Sequence, residues 1–157
     1  MKKVLITGGA GFIAHHLIYC LINKTDWEII SIDSLDFSGN LNRLNNVMMS
    51  MSASQKKRIK IIHHDLKAEI NPWITNQIKE VDYILHLAAG SHVDRSIEYP
   101  MEFVLDNVVG TANILEFAKK QNDLERFIYF STDEVFGPAP HGIDYKENDR
   151  YNSTNPY

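Results

Sequence analysis

The sequence predicts an α/β protein built on a doubly wound parallel sheet, and three observations support this fold class. Predicted strands alternate with segments of helical spacing from residue 2 to residue 132. The strand segments are apolar at successive positions rather than at alternate ones, which is typical of strands covered on both faces. A glycine-rich turn joins the first strand to the first helix. Elements in this order favour a parallel sheet with helices on both faces.

Five predicted strands account for the sheet. They are runs of apolar and β-branched residues, and they cover 2–7, 27–33, 58–65, 81–89 and 125–132. The run RFIYF at 126–130 has the composition of a buried strand. The stretch STDEVFG at 131–137 follows, so Asp133 and Glu134 stand together where this strand ends. Because adjacent carboxylates repel each other, the pair is either a solvated turn or a functional site.

Helices are predicted over 11–24, 71–80 and 101–121 from the spacing of their apolar residues. In the second of these, Asn71 can act as the N-cap and Pro72 occupies the first helical position. The third has an apolar stripe that is expected to face the core, formed by Phe103, Val104, Val108, Ile114, Leu115 and Phe117. The polar segment 34–57 predicts a loop plus a short helix, and the chain after Gly137 predicts irregular structure.

The composition limits the class of protein. With 157 residues, 44% of them hydrophobic and 23% charged, the chain has the makeup of one globular domain. The net charge of −4 argues against a nucleic-acid partner, and the basic cluster at 56–60 is short. No apolar run reaches membrane-spanning length, and the N-terminus lacks the layout of a signal peptide, so no membrane partner is predicted. Cys20 is the only cysteine, which predicts a reducing compartment, the cytoplasm.

Neighbouring histidines do not indicate a metal site. A strand sends His63 and His64 to opposite faces, so the two side chains are not expected to bind one ion. His15 and His16 are adjacent on a helix, about 100° apart, and are expected to be packing or surface residues. We therefore predict no metal.

A dinucleotide-binding turn is predicted where the first strand meets the first helix. The sequence TGGAGFIA fits two glycine registers: Gly9, Gly11 and Ala14, or Gly8, Gly11 and Ala14. Glycine allows a close approach of the main chain, and a helix start favours a pyrophosphate. Asp33 ends the second strand, about 20 residues further on, as a ribose-binding acid does. A carboxylate accepts ribose hydroxyls and repels a 2′-phosphate, which favours NAD over NADP.

Four sequence blocks carry a family resemblance: ITGGAGFI, HLAAGSHVDRSI at 86–97, NVVGT at 107–111 and STDEVFG. Together they resemble the extended short-chain dehydrogenase/reductase family and, within it, the nucleotide-sugar 4,6-dehydratases. The resemblance implies a Rossmann-type NAD-binding domain over 1–157 and a lyase that converts a nucleotide-hexose to its 4-keto-6-deoxy form. The implied steps are oxidation at C4, elimination of water across C5 and C6, and return of the hydride. A sugar-nucleotide epimerase or decarboxylase of the same family, and a non-catalytic NAD-binding module, remain alternatives.

The resemblance also implies cofactor-binding residues at the ends of the predicted strands. The pyrophosphate turn would use Gly8, Gly11, Phe12 and Ile13. The adenosine ribose would lie against Asp33, Ser34, Leu35 and Asp36. The adenine would meet Asp65 and Leu66, and the nicotinamide half would lie along Ala88, Ala89 and Gly90.

By the same resemblance, the chemistry falls to the paired acids and to the last residue. Glu134 would be the base that removes the C5 proton, and Asp133 the acid that protonates the leaving C6 hydroxyl. Tyr157 would take the C4 hydroxyl proton with help from Thr132, and Ser91 together with Thr132 would approach the sugar. One proton shared by two crowded carboxylates would leave one acidic and the other basic.

Three positions depart from the family pattern. Ala14 stands where a third glycine is usual, Asp106 where a threonine is usual, and Gly90 where a larger polar residue is common. The charge of Asp106 is expected to weaken NAD binding. Tyr157 aligns with the tyrosine of a Tyr-x-x-x-Lys motif, so we expect the chain to be truncated at the start of that helix, without the lysine and the C-terminal substrate domain. The family also implies a homodimer through the helix over 101–121.

Overall fold

The computed structural model describes residues 1–36 and 38–157, and its described part forms a five-stranded sheet. The strands are β1 (Lys3–Thr7), β2 (Glu28–Asp33), β3 (Ile59–His63), β4 (Tyr83–His86) and β5 (Arg126–Tyr129). All neighbouring pairs are parallel, and the order across the sheet is β3-β2-β1-β4-β5. Because β2 and β4 flank β1 on opposite sides, the winding reverses beside β1. The prediction of a doubly wound parallel sheet is therefore confirmed.

Helices connect the strands. They are α1 (Ala14–Lys24), α2 (Leu41–Met49), α3 (Ala53–Lys56), α4 (Pro72–Ile78), α5 (Val93–Glu98), α6 (Pro100–Phe103) and α7 (Gly110–Lys119). A π-helical turn, Val104–Val109, joins α6 to α7, and a 3₁₀ helix spans Asp133–Phe136. α4 begins as predicted, since the side chain of Asn71 accepts a hydrogen bond from Ile74 N at 3.1 Å.

The core lies on both faces of the sheet, around β1. Val4, Leu5 and Ile6 of β1 are fully buried. Leu5 belongs to an apolar layer that includes Ile30, Ile84, Ile114 and Phe117. Val4 and Ile6 belong to the opposite layer, which includes Ile18, Ile29, Leu44 and Leu85. This two-sided burial explains why the central strands are apolar at successive positions.

The described part of 34–57 contains two short helices rather than the single one predicted. The side chain of Asn40 caps α2, and a capping box of Ser52 and Gln55 begins α3. Asn and Ser favour turns as well as helix starts, so the composition of the segment did not distinguish the two. Phe37, within the predicted loop, lies outside the described residues.

The prediction that 126–130 is a buried strand is wrong. β5 forms, but Ile128, Tyr129 and Phe130 are 46%, 49% and 44% exposed. Within the described ranges, β5 is an edge strand that pairs only with β4. An apolar run indicates a strand but does not indicate how many layers cover it, so composition alone overestimated the burial.

The helix predicted over 101–121 is divided into three parts, and its apolar stripe into two faces. The buried positions, as predicted, are Phe103, Ile114 and Phe117. The prediction is wrong for three positions that are exposed: Val104, Val108 and Leu115. The π-helical turn bonds each N–H to a carbonyl five residues earlier, so the positions before and after it do not follow one 3.6-residue period.

Candidate functional site

The candidate site lies at the carboxyl ends of β1 and β4, where the winding of the sheet reverses. Gly8 follows β1 with a φ of 70°, and a Cβ there would lie 2.9 Å from Ala88 Cα. A Cβ on Gly11 would lie 2.9 Å from Gly8 O, and one on Gly9 would collide with Ser31 Oγ. Both predicted glycine registers therefore describe one turn, in which each glycine lies against a neighbouring segment.

The start of α1 is suited to an anion. α1 begins after Ile13 without a side-chain cap and without an acidic residue in its first turn. The partial positive charge of the helix N-terminus is therefore not offset by a carboxylate of that turn. Phe12 and Ile13 are 73% and 64% exposed, so the outer side of the turn is open. A pyrophosphate fits a site with these properties.

Asp33 links the turn after β1 to the loop after β2. Its carboxylate is buried, and Oδ2 accepts a hydrogen bond from Ala10 N at 2.9 Å. Oδ1 accepts another from Leu35 N at 2.8 Å, and Leu35 has a φ of 56°. Each carboxylate oxygen has a second lone pair, so the side chain retains capacity for ribose hydroxyls. Ser34 and Asp36 lie in the same loop, half-buried and exposed respectively.

The segment after β3 would offer a cofactor its main chain and a carboxylate, because its apolar side chain is buried. Leu66 is buried in the core, and its carbonyl oxygen accepts a hydrogen bond from Asn113 Nδ2 at 2.7 Å. Asp65 is half-buried, and its Oδ1 accepts a hydrogen bond from Lys67 N at 2.9 Å. An adenine placed here would therefore meet the Asp65 carboxylate and the main chain.

A buried histidine holds the loop after β4, and the sequence analysis did not identify it. Thr7 Oγ1 accepts hydrogen bonds from Leu87 N and Ala88 N at 3.1 and 3.0 Å, so its own proton points to His86 Nδ1, 2.7 Å away. His86 Nε2 then donates to Thr111 Oγ1 at 3.0 Å. Burial lowers the pKa of His86 from 6.5 to about 4. A neutral imidazole thus fixes the start of the predicted nicotinamide loop.

The rest of that loop is held by the π-helical turn. Gly90 N donates to Asn107 Oδ1 at 2.7 Å, and Asn107 Nδ2 donates to Gly90 O at 3.0 Å. Ala89 and Ser91 lie on either side of Gly90 and are exposed. The two hydrogen bonds thus anchor the loop at Gly90, between these two exposed residues.

The acids after β5 are linked to Tyr157 through Asn155, which sequence analysis missed. Thr132 Oγ1 accepts a hydrogen bond from Glu134 N at 3.2 Å and lies 3.5 Å from Asp133 Oδ1. Glu134 Oε2 accepts a hydrogen bond from Asn155 Nδ2 at 2.7 Å, and Asn155 Oδ1 accepts one from Tyr157 N at 3.0 Å. Five residues that are spread over 26 positions of sequence are therefore gathered at the end of β5. The Asn-Pro pair before Tyr157 was the available signal.

Neither a metal-binding cluster nor a membrane-spanning helix occurs among residues 1–36 and 38–157. No group of three or more His, Cys, Asp or Glu side chains in these ranges is arranged to hold a metal ion. No helix in them is long and apolar enough to cross a membrane. His63 Nε2 instead donates to Ser34 O at 2.9 Å.

The sequence is similar to a family of known enzymes. Residues 5–157 match the family described as GDP-mannose 4,6 dehydratase. The dTDP-glucose 4,6-dehydratase of Escherichia coli is 35% identical over 172 residues, which covers 99% of this chain and 46% of the relative. That of Salmonella typhimurium is 40% identical over 149 residues, with 88% and 39% covered. The chain thus spans under half the length of these curated relatives.

Solved structures show the same likeness. The dTDP-glucose 4,6-dehydratase of Streptomyces venezuelae, crystallised with NAD, has a TM-score of 0.84 and 33% identity, over 99% of this chain and 47% of that one. The UDP-Glc/GlcNAc 4-epimerase of Campylobacter jejuni has a TM-score of 0.84 and 27% identity, over 100% of this chain and 45% of that one. Dehydratases and epimerases therefore share this arrangement of strands and helices.

Proposed function

The chain belongs to the GDP-mannose 4,6 dehydratase family, and from this premise we propose that it forms the NAD-binding part of a nucleotide-sugar 4,6-dehydratase, a lyase that acts on dTDP-glucose. The names of the two curated relatives support this substrate. The proposed NAD-binding domain covers residues 1–157, and Tyr157 aligns with the tyrosine of the Tyr-x-x-x-Lys motif.

The site would hold NAD at the turn after β1 and the loops after β2, β3 and β4. The open start of α1 fits a pyrophosphate, and the Asp33 carboxylate fits the adenosine ribose. The residues proposed to hold the cofactor are Gly8, Gly11, Phe12, Ile13, Asp33, Ser34, Leu35, Asp36, Asp65, Leu66, Ala88, Ala89 and Gly90. NAD, when bound, supplies the acceptor for the C4 hydride and the donor that returns it to C6.

The residues of this chain would move the protons. Tyr157 takes the proton of the C4 hydroxyl, while Thr132 hydrogen-bonds to the sugar together with Ser91. Oxidation at C4 makes the C5 proton acidic, and Glu134 removes it. Asp133 gives a proton to the C6 hydroxyl, which leaves as water. Asp133 is exposed and Glu134 is half-buried, and the family resemblance is what assigns the acid to the first and the base to the second.

The observation that carries the proposal is the position of Glu134. Its carboxylate is at the end of β5, next to the strand whose loop would hold the nicotinamide, and Asn155 ties it to the backbone N–H of Tyr157. A sugar-nucleotide 4-epimerase is the second candidate, because the epimerase neighbour has the same TM-score as the dehydratase. An epimerase needs the cofactor turn and the tyrosine but not two acids after Thr132, so the paired acids favour the dehydratase.

Exposed apolar side chains on the π-helical turn and on α7 support a homodimer, which is part of the proposal. Leu105 and Val108 are 42% and 61% exposed on the π-helical turn, and Leu115 is 47% exposed on α7. Large apolar side chains exposed on connected helical segments are typical of an interface between chains. Cys20 is a free thiol, which supports a reducing compartment, the cytoplasm.

A chimera tests the proposed roles of the two acids. Residues 1–157 are joined to the C-terminal remainder of the Salmonella typhimurium relative, and the product and its deuterium content are measured by mass spectrometry in heavy water. Glu134→Gln removes the base but keeps the shape, so elimination and C5 exchange should fall by roughly 10² to 10⁴-fold.

Asp133→Asn is the matched control in the same chimera. Exchange at C5 should continue in this variant while loss of the C6 hydroxyl slows. If Glu134→Gln exchanges C5 as fast as the unaltered chimera, the base is another residue. An active chimera that epimerises C4 without losing water would favour the second candidate.

A further inference from the structure

Lys67 joins two acids from different parts of the proposed cofactor cleft. Its Nζ lies 2.9 Å from Asp106 Oδ1 and 3.3 Å from Asp65 Oδ2. Asp65 follows β3, whereas Asp106 belongs to the π-helical turn. The hydrogen bond to Asp106 raises the pKa of Lys67, so the ammonium remains protonated at neutral pH.

The acid at 106 lies against the loop after β4. A Cβ on Gly90 would be 3.3 Å from Asp106 Oδ2 and 3.1 Å from the ring of Phe103. The next residue, Asn107, exchanges two hydrogen bonds with Gly90. Two departures from the family pattern, Gly90 and Asp106, are therefore neighbours, and a side chain at 90 would crowd the Asp106 carboxylate and the Phe103 ring.

The charge of Asp106 is near enough to act on a bound diphosphate. Ala88 touches the glycine turn at Gly8, and Gly90 is two residues further along the chain, at most about 7 Å. The path from Gly8 through Ala88 and Gly90 to Asp106 Oδ2 spans up to about 16 Å, and the screening length is about 30 Å at 0.01 M salt, so the charge acts over this distance at low ionic strength. A carboxylate beside Gly90 would thus repel a diphosphate at the start of α1, and a lysine bonded to that carboxylate would offset the repulsion.

We propose that Lys67 is a positioning residue of the cofactor site: its ammonium offsets the charge of Asp106 and thereby sets the affinity for the diphosphate of NAD. This inference rests on the proposed NAD binding. The cluster of Asp65, Lys67 and Asp106 carries one net negative charge. A neutral residue at 67 leaves two negative charges, a neutral residue at 106 leaves none, and both changes together restore one. Net charge therefore predicts the order of affinities.

The dissociation constant for NAD, measured by calorimetry on the 157-residue chain, tests this order. Lys67→Gln should weaken binding roughly fourfold at low salt, and the loss should shrink at about 500 mM salt. Asp106→Asn should bind NAD at least as tightly as the unaltered chain, and Lys67→Gln/Asp106→Asn should return to the unaltered value. Lys67→Arg keeps the charge and should keep the affinity.

Lys119→Gln is the control for loss of a lysine that is paired elsewhere. Lys119 is 3.5 Å from Glu116 at the far end of α7, so its removal should leave NAD binding unchanged. Unfolding temperatures verify that each variant is folded. Equal affinity in Lys67→Gln and the unaltered chain would overturn the inference, and so would equal losses in Lys67→Gln and Asp106→Asn. An unaltered chain that binds no NAD would instead count against the cofactor site proposed within residues 1–157.

Discussion

β4 and β5 are neighbouring strands with similar sequences, YILH and RFIY, yet one is buried and the other is largely exposed. In the register of the pair, Ile84 lies opposite Phe127 and Leu85 opposite Ile128. Ile84 is fully buried, because β4 lies between two strands and under α7, whereas Ile128 is 46% exposed at the edge. Position in the sheet, rather than composition, decides the burial of these side chains.

The two strands carry the two parts of the proposed site, and the difference extends to how each part is held. The loop after β4 is fixed by buried groups, His86 and Thr7, in the interior of the sheet. The segment after β5 is fixed by side chains near the surface, among which Asn155 holds Glu134. The cofactor part is thus positioned by the core, and the catalytic part by a few polar contacts.

The largest expected effect comes from truncating the same residue type in each strand. Ile84→Ala should lower the free energy of unfolding by about 3 kcal/mol or more, because it leaves a cavity in a closed layer. Ile128→Ala should lower it by less than about 1 kcal/mol, because water already reaches that side chain. Urea unfolding of both variants measures the difference. Equal losses would mean that β5 is covered in solution.

The buried side chain of His86 makes the free energy of unfolding depend on pH. Above pH 6.5, His86 is neutral in both the folded and unfolded states, and its contribution to stability is fully present. As the pH falls towards 4, the unfolded chain binds the proton first, so the free energy of unfolding should fall by up to about 3 kcal/mol.

Urea unfolding as a function of pH tests this dependence. His86→Gln should flatten the profile between the two pKa values, and the exposed His141→Gln should leave it unchanged. A profile that is the same in His86→Gln and the unaltered chain would show that His86 is protonated in the folded state or that other groups dominate.

A smaller difference in stability is expected between substitutions in the glycine turn and at the surface near the C-terminus. Gly8 and Gly142 have φ values of 70° and 76°, so alanine at either should cost about 1 kcal/mol of backbone strain. Among the described residues, nothing lies within 4 Å of a Cβ at 142, whereas a Cβ at 8 meets the backbone of Ala88. Gly8→Ala should therefore cost about 1 kcal/mol more than Gly142→Ala in urea unfolding. Equal costs would mean that the loop after β4 moves aside.

The sequence was sufficient for the strands and for the glycine turn, because both depend on local pattern. Periodicity identifies a strand and a helix start identifies an anion site, and Asp33 could be located from its distance along the chain. The sequence could not predict the pairing of Lys67 with Asp106 or of Glu134 with Asn155, which are 39 and 21 positions apart. Such contacts depend on how connections fold back over the sheet, and a single sequence carries no local signal for them.

Because of the π-helical turn at Val104–Val109, the number of residues between α6 and α7 determines which side chain of the turn faces the cleft. An i→i+5 turn accommodates one residue more than an α-helical turn does, while the flanking turns keep their places. Deletion of one residue from the turn would let it close as a regular α-helical turn, so Phe103 and Ile114 on either side would keep their buried positions. Asn107 lies within the turn, so its side chain would be redirected and its two hydrogen bonds to Gly90 would be lost. The extra residue of this turn is thus what aims the Asn107 amide at the cofactor loop.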